Sequence, residues 1–234
     1  MTKNPIICAI DTVNVQDAKK LSTQLRPHVG AVKLGLEFFT ANGAVGVAEV
    51  AGDAPLFLDL KFHDIPNTVA GAIRATAGIN SFMMTVHTAG GEAMLKAAVA
   101  AAKDLPNKPQ KRPLIIGVTV LTSLDGKDLE AIGVASDVAA QVSRLADLAQ
   151  KSGLDGVVCS PHEITMLRAQ CGADFKLIVP GIRPEGSAAS DQKRTMTPKQ
   201  ALENGADYLV IGRPITESEN PAQTARDILA SCIK

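Results

Sequence analysis

Two aspartates flanking a lysine, Asp59, Lys61 and Asp64, stand where the apolar run LFLDLKFHDIPNT (56–68) gives way to polar residues. Side chains two apart on a strand share a face. Asp59 and Lys61 therefore share one with Phe57, while Leu56, Leu58 and Leu60 take the other. Charged residues are rarely buried unless they are paired or used. One reading is a structural ion pair that closes a core strand. The other is chemical: a fixed ammonium beside a fixed carboxylate can stabilise a carbanion and then protonate it. Lys33, between Val32 and Leu34, adds a second internal cation, and Asp11 adds a further carboxylate. An isolated buried ion neutralises itself, whereas an alternating cluster can keep every member charged.

A second group of residues suits phosphate. In VIGRPI (210–215) Gly212 allows close backbone approach, its amide and that of Arg213 can face an anion, and the Arg213 guanidinium offers paired, charge-assisted bonds. A Gly-Arg-Pro turn with a solvated arginine is the plainer alternative. Upstream, GIRPEGSAASDQKRTMTP (181–198) has the length and polarity of a lid, with a mobile phosphate-side loop expected at about 183–197. Gln192 could reach over a phosphate as a neutral donor, while Lys193 and Arg194 are expected in solvent.

The elements that must hold these groups are eight short apolar runs: 6–10, 31–36, 56–61, 82–87, 114–121, 156–160, 176–181 and 208–212. Ala-rich amphipathic segments at 14–29, 38–52, 67–79, 91–104, 137–152, 162–171, 198–204 and 221–232 fill the gaps. Strands alternating with helices imply a parallel sheet covered by helices. Eight such units within 234 residues predict an α/β chain folded as a single (β/α)8 TIM barrel over 1–234, in preference to a doubly wound open sheet. Polar residues recur at the strand ends, where a barrel builds its site: Asp11, Asp59, Lys61, His87, Thr122, Ser123, Ser160, Arg183 and Arg213.

Composition removes several function classes. Lys+Arg and Asp+Glu balance at 24 each with no basic stripe, so nucleic acid is not expected as a partner. Cys8, Cys159, Cys171 and Cys232 lack CxxC spacing and read as reduced thiols. The N-terminal stretch lacks the flanks of a signal peptide and no apolar run approaches the ~20 residues of a membrane span, so a cytoplasmic protein without membrane contact is expected. No His/Cys/carboxylate set has metal spacing, and no metal is expected. His87 and His63 read as packing or hydrogen-bonding residues, and His28 and His162 as surface.

Taken together, AIDT (9–12), VKLG (32–35), DLKFHDIPNT (59–68), VLTS (120–123), PGIRP (180–184), DQKR (191–194) and IGRPI (211–215) closely resemble the orotidine 5′-phosphate decarboxylase family, in order and over nearly the whole chain. The D-x-K-x-x-D pattern is shared with sugar-phosphate decarboxylases and synthases of the same barrel superfamily; the DIPNT, GIRP and IGRP segments are more specific.

The resemblance implies cofactor-independent loss of CO2 from orotidine monophosphate to give uridine monophosphate in pyrimidine synthesis. Lys61 would protonate carbon six, Asp59 would sit against the departing carboxylate, and Lys33 would continue the charge row. Asp64 would complete that row from the partner subunit of a homodimer, with Ile65 and Thr68 lining the neighbouring site. Asp11 and Lys33 would contact ribose, and Thr122, with Ser123 as a rival, the pyrimidine. Pro180 would wall the base, and Arg183, Gln192, Gly212 and Arg213 would serve the loop and the phosphate. The alternatives are a Mg2+-dependent sugar-phosphate decarboxylase or synthase, and a barrel that only binds a phosphorylated metabolite.

Overall fold

The computed structural model describes residues 4–79, 81–105, 112–134, 137–184 and 196–233. Eight parallel strands close on themselves in sequential order: β1 (Ile6–Ala9), β2 (Ala31–Gly35), β3 (Leu56–Phe62), β4 (Met83–His87), β5 (Leu114–Val118), β6 (Gly156–Val158), β7 (Lys176–Val179) and β8 (Tyr208–Ile211). Closure through β8 pairing with β1 excludes the open doubly wound sheet. Each strand begins within a residue of its apolar run, because those runs are buried on both faces.

The helices are α1 (Val15–Leu25), α2 (Leu36–Ala51), α3 (Pro66–Ala75), α4 (Glu92–Lys103), α5 (Gly126–Ala131), α6 (Val138–Lys151), α7 (Ile164–Cys171), α8 (Pro198–Glu203), α9 (Arg213–Thr216) and α10 (Pro221–Ile233). Two of them, α5 and α9, lie outside the eight amphipathic segments read from the sequence. Helix α5 starts at a capping box in which Asp125 accepts from the Asp128 amide and Asp128 accepts from the Asp125 amide. That local pairing suffices for a helix too short to show a periodic apolar face.

Two apolar layers result. Between strands and helices runs a continuous core that includes Leu34, Phe38, Leu58, Ile73, Met84 and Leu95. Inside the barrel, Ile7, Ala31, Phe57, Phe82, Met83, Ile116, Ile178 and Tyr208 form a separate plug, with Phe82 meeting Tyr208 edge-to-face at 5.8 Å. Most of the plug lies early along the strands. Further along, the interior turns charged, so the barrel is dry at its base and polar at its mouth.

Half-buried ion pairs fasten the base. Arg112 grips Asp155 through two bonds of 2.7 and 2.8 Å, and Asp155 also accepts the Ile115 amide. Asp207 does the same for Arg168, Lys176 and the Leu177 amide. Each carboxylate precedes one strand and caps the start of another. Gly156 is fixed by packing, since a Cβ there would fall 2.1 Å from the Lys176 carbonyl oxygen on the paired strand. Gly156→Ala is therefore expected to destabilise the protein by about 3 kcal/mol or more, read from the denaturant midpoint; an unchanged midpoint would contradict this packing.

Candidate active site

A cavity of about 290 Å3 opens at the carboxyl ends of the strands. That is at the lower end of the range for small-molecule sites, about 300–1,000 Å3. One side carries Asp11, Lys33, Asp59 and Lys61, and the other is apolar, with Val118, Val120, Leu121, Val158, Ile178 and Val210. Thr122, Pro180, Arg183, Gly212 and Arg213 also line it, so nine of the expected residues meet at one place. Ser123 is exposed and does not line the cavity.

The charges alternate along the strands. Lys33 Nζ lies 3.7 Å from Asp11 Oδ1 and 3.6 Å from Asp59 Oδ2, and Lys61 Nζ donates to the same Asp59 Oδ2 at 2.9 Å. Lys33 reaches the row because Gly35, two residues later on the same face, has no side chain. A Cβ on Gly35 would sit 3.3 Å from the ammonium. Gly35 pairs with Asp59 across the sheet, which sets the lysine beside the carboxylate.

Lys61 occupies its place through a break in β3 and not through regular alternation. Leu58 pairs with Met84 and Phe62 with Val86, so Asp59, Leu60 and Lys61 all lie opposite Thr85 alone. The bulge places Lys61 at φ +51, making it the one non-glycine residue with positive φ among the described residues. Such a conformation costs on the order of 1–3 kcal/mol in a residue with a Cβ. Strain of this kind gathers where surrounding structure holds a functional group in place. Asp59 and Lys61 do both line the cavity, as strand alternation predicts, but the bulge is what aims the lysine.

Burial pushes the Asp59 carboxyl up, but Lys33, Lys61 and the hydrogen bonds from Lys61 and Thr85 together hold it below the usual carboxylate range. Asp59 is therefore a fixed anion despite being 9% exposed. Lys61 is the more open of the two, with 28% of its side chain exposed against 12% for Asp59, so it faces the cavity's contents.

His87 ends β4 half-buried, its ring tilted over that of exposed His63 at 5.4 Å. Burial, then His63 and Lys61, push its imidazole below the ordinary 6.5, against the pull of Asp59. The unfolded chain thus takes up this proton at a higher pH than the folded one. Stability is expected to fall as pH drops below about 6.5 toward the lowered folded value. His87→Gln should flatten that part of a urea-midpoint profile, and an unaltered slope would refute the assignment.

Asp64, Ile65 and Thr68 are not brought to this cavity. They lie exposed around the start of α3, with Ile65 67% exposed and Asp64 accepting the Ile65 amide. Gln192, Lys193, Arg194 and most of the expected lid lie outside the described residues. The base of that segment is fixed, because Ile182 bridges to Met196 and the Arg183 amide donates to the Met196 carbonyl at 3.0 Å. Arg183 also donates to the Ile182 carbonyl. Gly181, just before, has φ +79, which explains glycine at that turn. At Gly212 an added Cβ would meet Ala9 and Asp11 only at 3.5 Å or beyond, so the chain's own packing does not explain the glycine.

Cys8, Cys159, Cys171 and Cys232 are free thiols. Burial, reinforced by Asp11, pushes Cys8 up to about 12, and burial raises Cys159 as well, so neither is a nucleophile at neutral pH. Among the described residues no cluster of His, Cys, Asp and Glu is arranged to hold a metal ion, and no helix is long and apolar enough to cross a membrane. Sequence reasoning missed Thr85, which is fully buried and bonded to both Asp59 and the Lys61 amide. Its only signal was a hydroxyl two residues before His87, on the strand next to the charged one.

By fold the chain is a closed (β/α)8 barrel with an alternating row of charges at its strand ends. The model of the orotidine 5′-phosphate decarboxylase / HUMPS family matches residues 4–228, and the chain belongs to that family. A Rhodospirillum rubrum protein named orotidine 5′-phosphate decarboxylase is 54% identical over 239 aligned residues, covering 100% of this chain and 96% of the relative. A protein of the same name from Moorella thermoacetica is 50% identical, covering 97% and 92%. The crystal structure of orotidine 5′-phosphate decarboxylase from Lactobacillus acidophilus superposes with a TM-score of 0.88 at 35% identity, covering 99% of this chain and 100% of that one.

Proposed function

We propose that the protein decarboxylates orotidine 5′-monophosphate to uridine 5′-monophosphate and CO2, a step of pyrimidine biosynthesis. The observation that carries the reading is Lys61 held 2.9 Å from an ionised, buried Asp59, in a cavity that extends to Gly212 and Arg213. The family model spans two names, and the relatives at 50–54% identity carry the first.

The chemistry follows from the charges. The bond between carbon six and the carboxylate breaks, CO2 leaves, and the electron pair stays on carbon six of the ring. Lys61 donates a proton to that carbon. An ammonium fixed beforehand in a water-poor site stabilises the developing anion with no reorganisation at the moment of reaction. Asp59 lies against the departing carboxylate, and the bond to its Oδ2 fixes the position of the Lys61 amine. The apolar wall of Val118, Val158, Ile178 and Val210 excludes water from the base. No step calls on a cofactor or metal.

The remaining residues bind. Asp11 and Lys33 take the ribose hydroxyls, Thr122 and Pro180 the pyrimidine, and Arg183, Gln192, Gly212 and Arg213 the phosphate and the loop beside it. Binding energy from the remote phosphate can be used to hold the reacting groups in place. Arg213→Ala is expected to weaken phosphate-bearing nucleotides by about 10- to 100-fold with little change in nucleoside affinity, as titration calorimetry would read; unchanged nucleotide affinity would refute the phosphate role.

The protein is a homodimer in this reading, located in the cytoplasm. Asp64, Ile65 and Thr68, exposed on one chain, enter the site of the neighbour. An apolar side chain as open as Ile65 is suited to burial against a second copy.

The test is ultraviolet-monitored loss of orotidine monophosphate in metal-chelating buffer. Turnover unaffected by the chelator is expected. Inactivity there, with turnover of a keto-sugar phosphate once Mg2+ is added, would replace this reading with the sugar-phosphate alternative.

A further inference from the structure

We propose that Thr85 is a positioning residue for the reaction, setting both Asp59 and Lys61 through one buried hydroxyl. The inference rests on the proposed decarboxylation.

Hydrogen-bond accounting fixes the direction of each contact. The Lys61 backbone N–H can only donate, and it meets Thr85 Oγ1 at 2.9 Å. An ionised carboxylate can only accept, so the single proton of the hydroxyl goes to Asp59 Oδ1, also at 2.9 Å. With Oδ1 occupied in this way, Oδ2 is the oxygen turned to both ammonium groups, Lys61 at 2.9 Å and Lys33 at 3.6 Å. One side chain therefore sets the rotation of the carboxylate and anchors the backbone of the bulge that aims Lys61.

The bulge depends on this contact. Three residues of β3 lie opposite Thr85 alone, so β4 supplies one residue's worth of partners for the whole segment. The threonine hydroxyl takes an N–H at the centre of the irregularity, on the residue with φ +51. A valine would have the same shape, but it would leave that N–H without its partner and free Asp59 to turn. Thr85 is fully buried and does not line the cavity, so it acts on a ligand only through Asp59 and Lys61.

Three variants separate positioning from packing. Thr85→Val removes the hydroxyl and keeps the shape. Thr85→Ser keeps the hydroxyl and removes the methyl. Thr85→Cys is close in size to serine but offers only a weak donor. The expected result for Thr85→Val is a fall in kcat of about 100-fold, the scale of loss that follows when a reacting group is misplaced by an ångström. Uridine monophosphate affinity should be unchanged, and Thr85→Ser should restore most of the rate. Losing a hydrogen bond to the charged form raises a carboxyl pKa. The acid limb of the kcat profile should therefore move to higher pH in Thr85→Val and return in Thr85→Ser. The other charged or titratable groups facing Asp59 are Lys33 from β2, Lys61 from its own strand, Asp11 beyond Lys33, and His87 at the end of β4, and all are present in every variant.

If Thr85→Val does not fold, the comparison passes to Thr85→Ser and Thr85→Cys, where the cysteine variant should be the slower at equal nucleotide affinity. Equal rates for hydroxyl-bearing and hydroxyl-lacking variants, or a Thr85→Val enzyme as fast as the parent, would overturn the role while leaving the proposed function intact. A parent protein that leaves orotidine monophosphate untouched would overturn both.

Discussion

Lys61→Ala is expected to abolish turnover while product-like nucleotides still bind. Two contributions disappear together: proton donation, worth about 10^2–10^4 in rate, and electrostatic stabilisation of the carbanion, worth about 10^2–10^3. A fall in kcat of at least about 10^4-fold should result. Alanine is the informative replacement because it keeps the Cβ. The strained backbone at φ +51 then remains as it was, and only the ammonium is lost. Asp59 retains Lys33 at 3.6 Å and the Thr85 hydroxyl, so the buried carboxylate is not left bare. Calorimetry with uridine monophosphate would show the site intact, and retained decarboxylation in the variant would count against the mechanism.

The second large effect concerns Asp64. It is exposed and absent from the cavity of its own chain. If it serves the neighbour's site, Asp64→Ala should be nearly as inactive as Lys61→Ala, and a mixture of the two should regain activity. In a mixed dimer, the site built on the Asp64→Ala chain has an intact Lys61 and receives an intact Asp64 from its partner. Random exchange in equal amounts makes half of all dimers mixed, each with one complete site of two. About one quarter of parental activity is then expected. A mixture as inactive as its components would show that Asp64 acts within its own chain or not at all.

Much of this was legible in the sequence for a physical reason. Strands buried on both faces must be apolar, so runs such as IICAI and YLVIG mark themselves, and an Asp, a Lys or an Arg at their ends stands out. Lys33 and Asp59 were readable because a charge inside an apolar strand is costly unless used. The bulge in β3 was not readable, since the sequence of LFLDLKF fits an unbroken strand and the irregularity arises from pairing with β4. Thr85 was hidden because threonine is at home in strands, and only the neighbouring carboxylate gives its hydroxyl a task. How Gly35 leaves a path for the Lys33 side chain depends on the register of β2 against β3. Helices α5 and α9 escaped notice because six and four residues are too few to show a period.

In the proposed reaction the Lys61 ammonium delivers the proton to carbon six. A group that protonates a carbon must also, in reverse, remove that proton from the product. Uridine monophosphate incubated with the protein in heavy water should therefore exchange hydrogen for deuterium at carbon six, followed by proton magnetic resonance. Exchange by the parent and none by Lys61→Ala is the predicted result; exchange that persists in Lys61→Ala would contradict it.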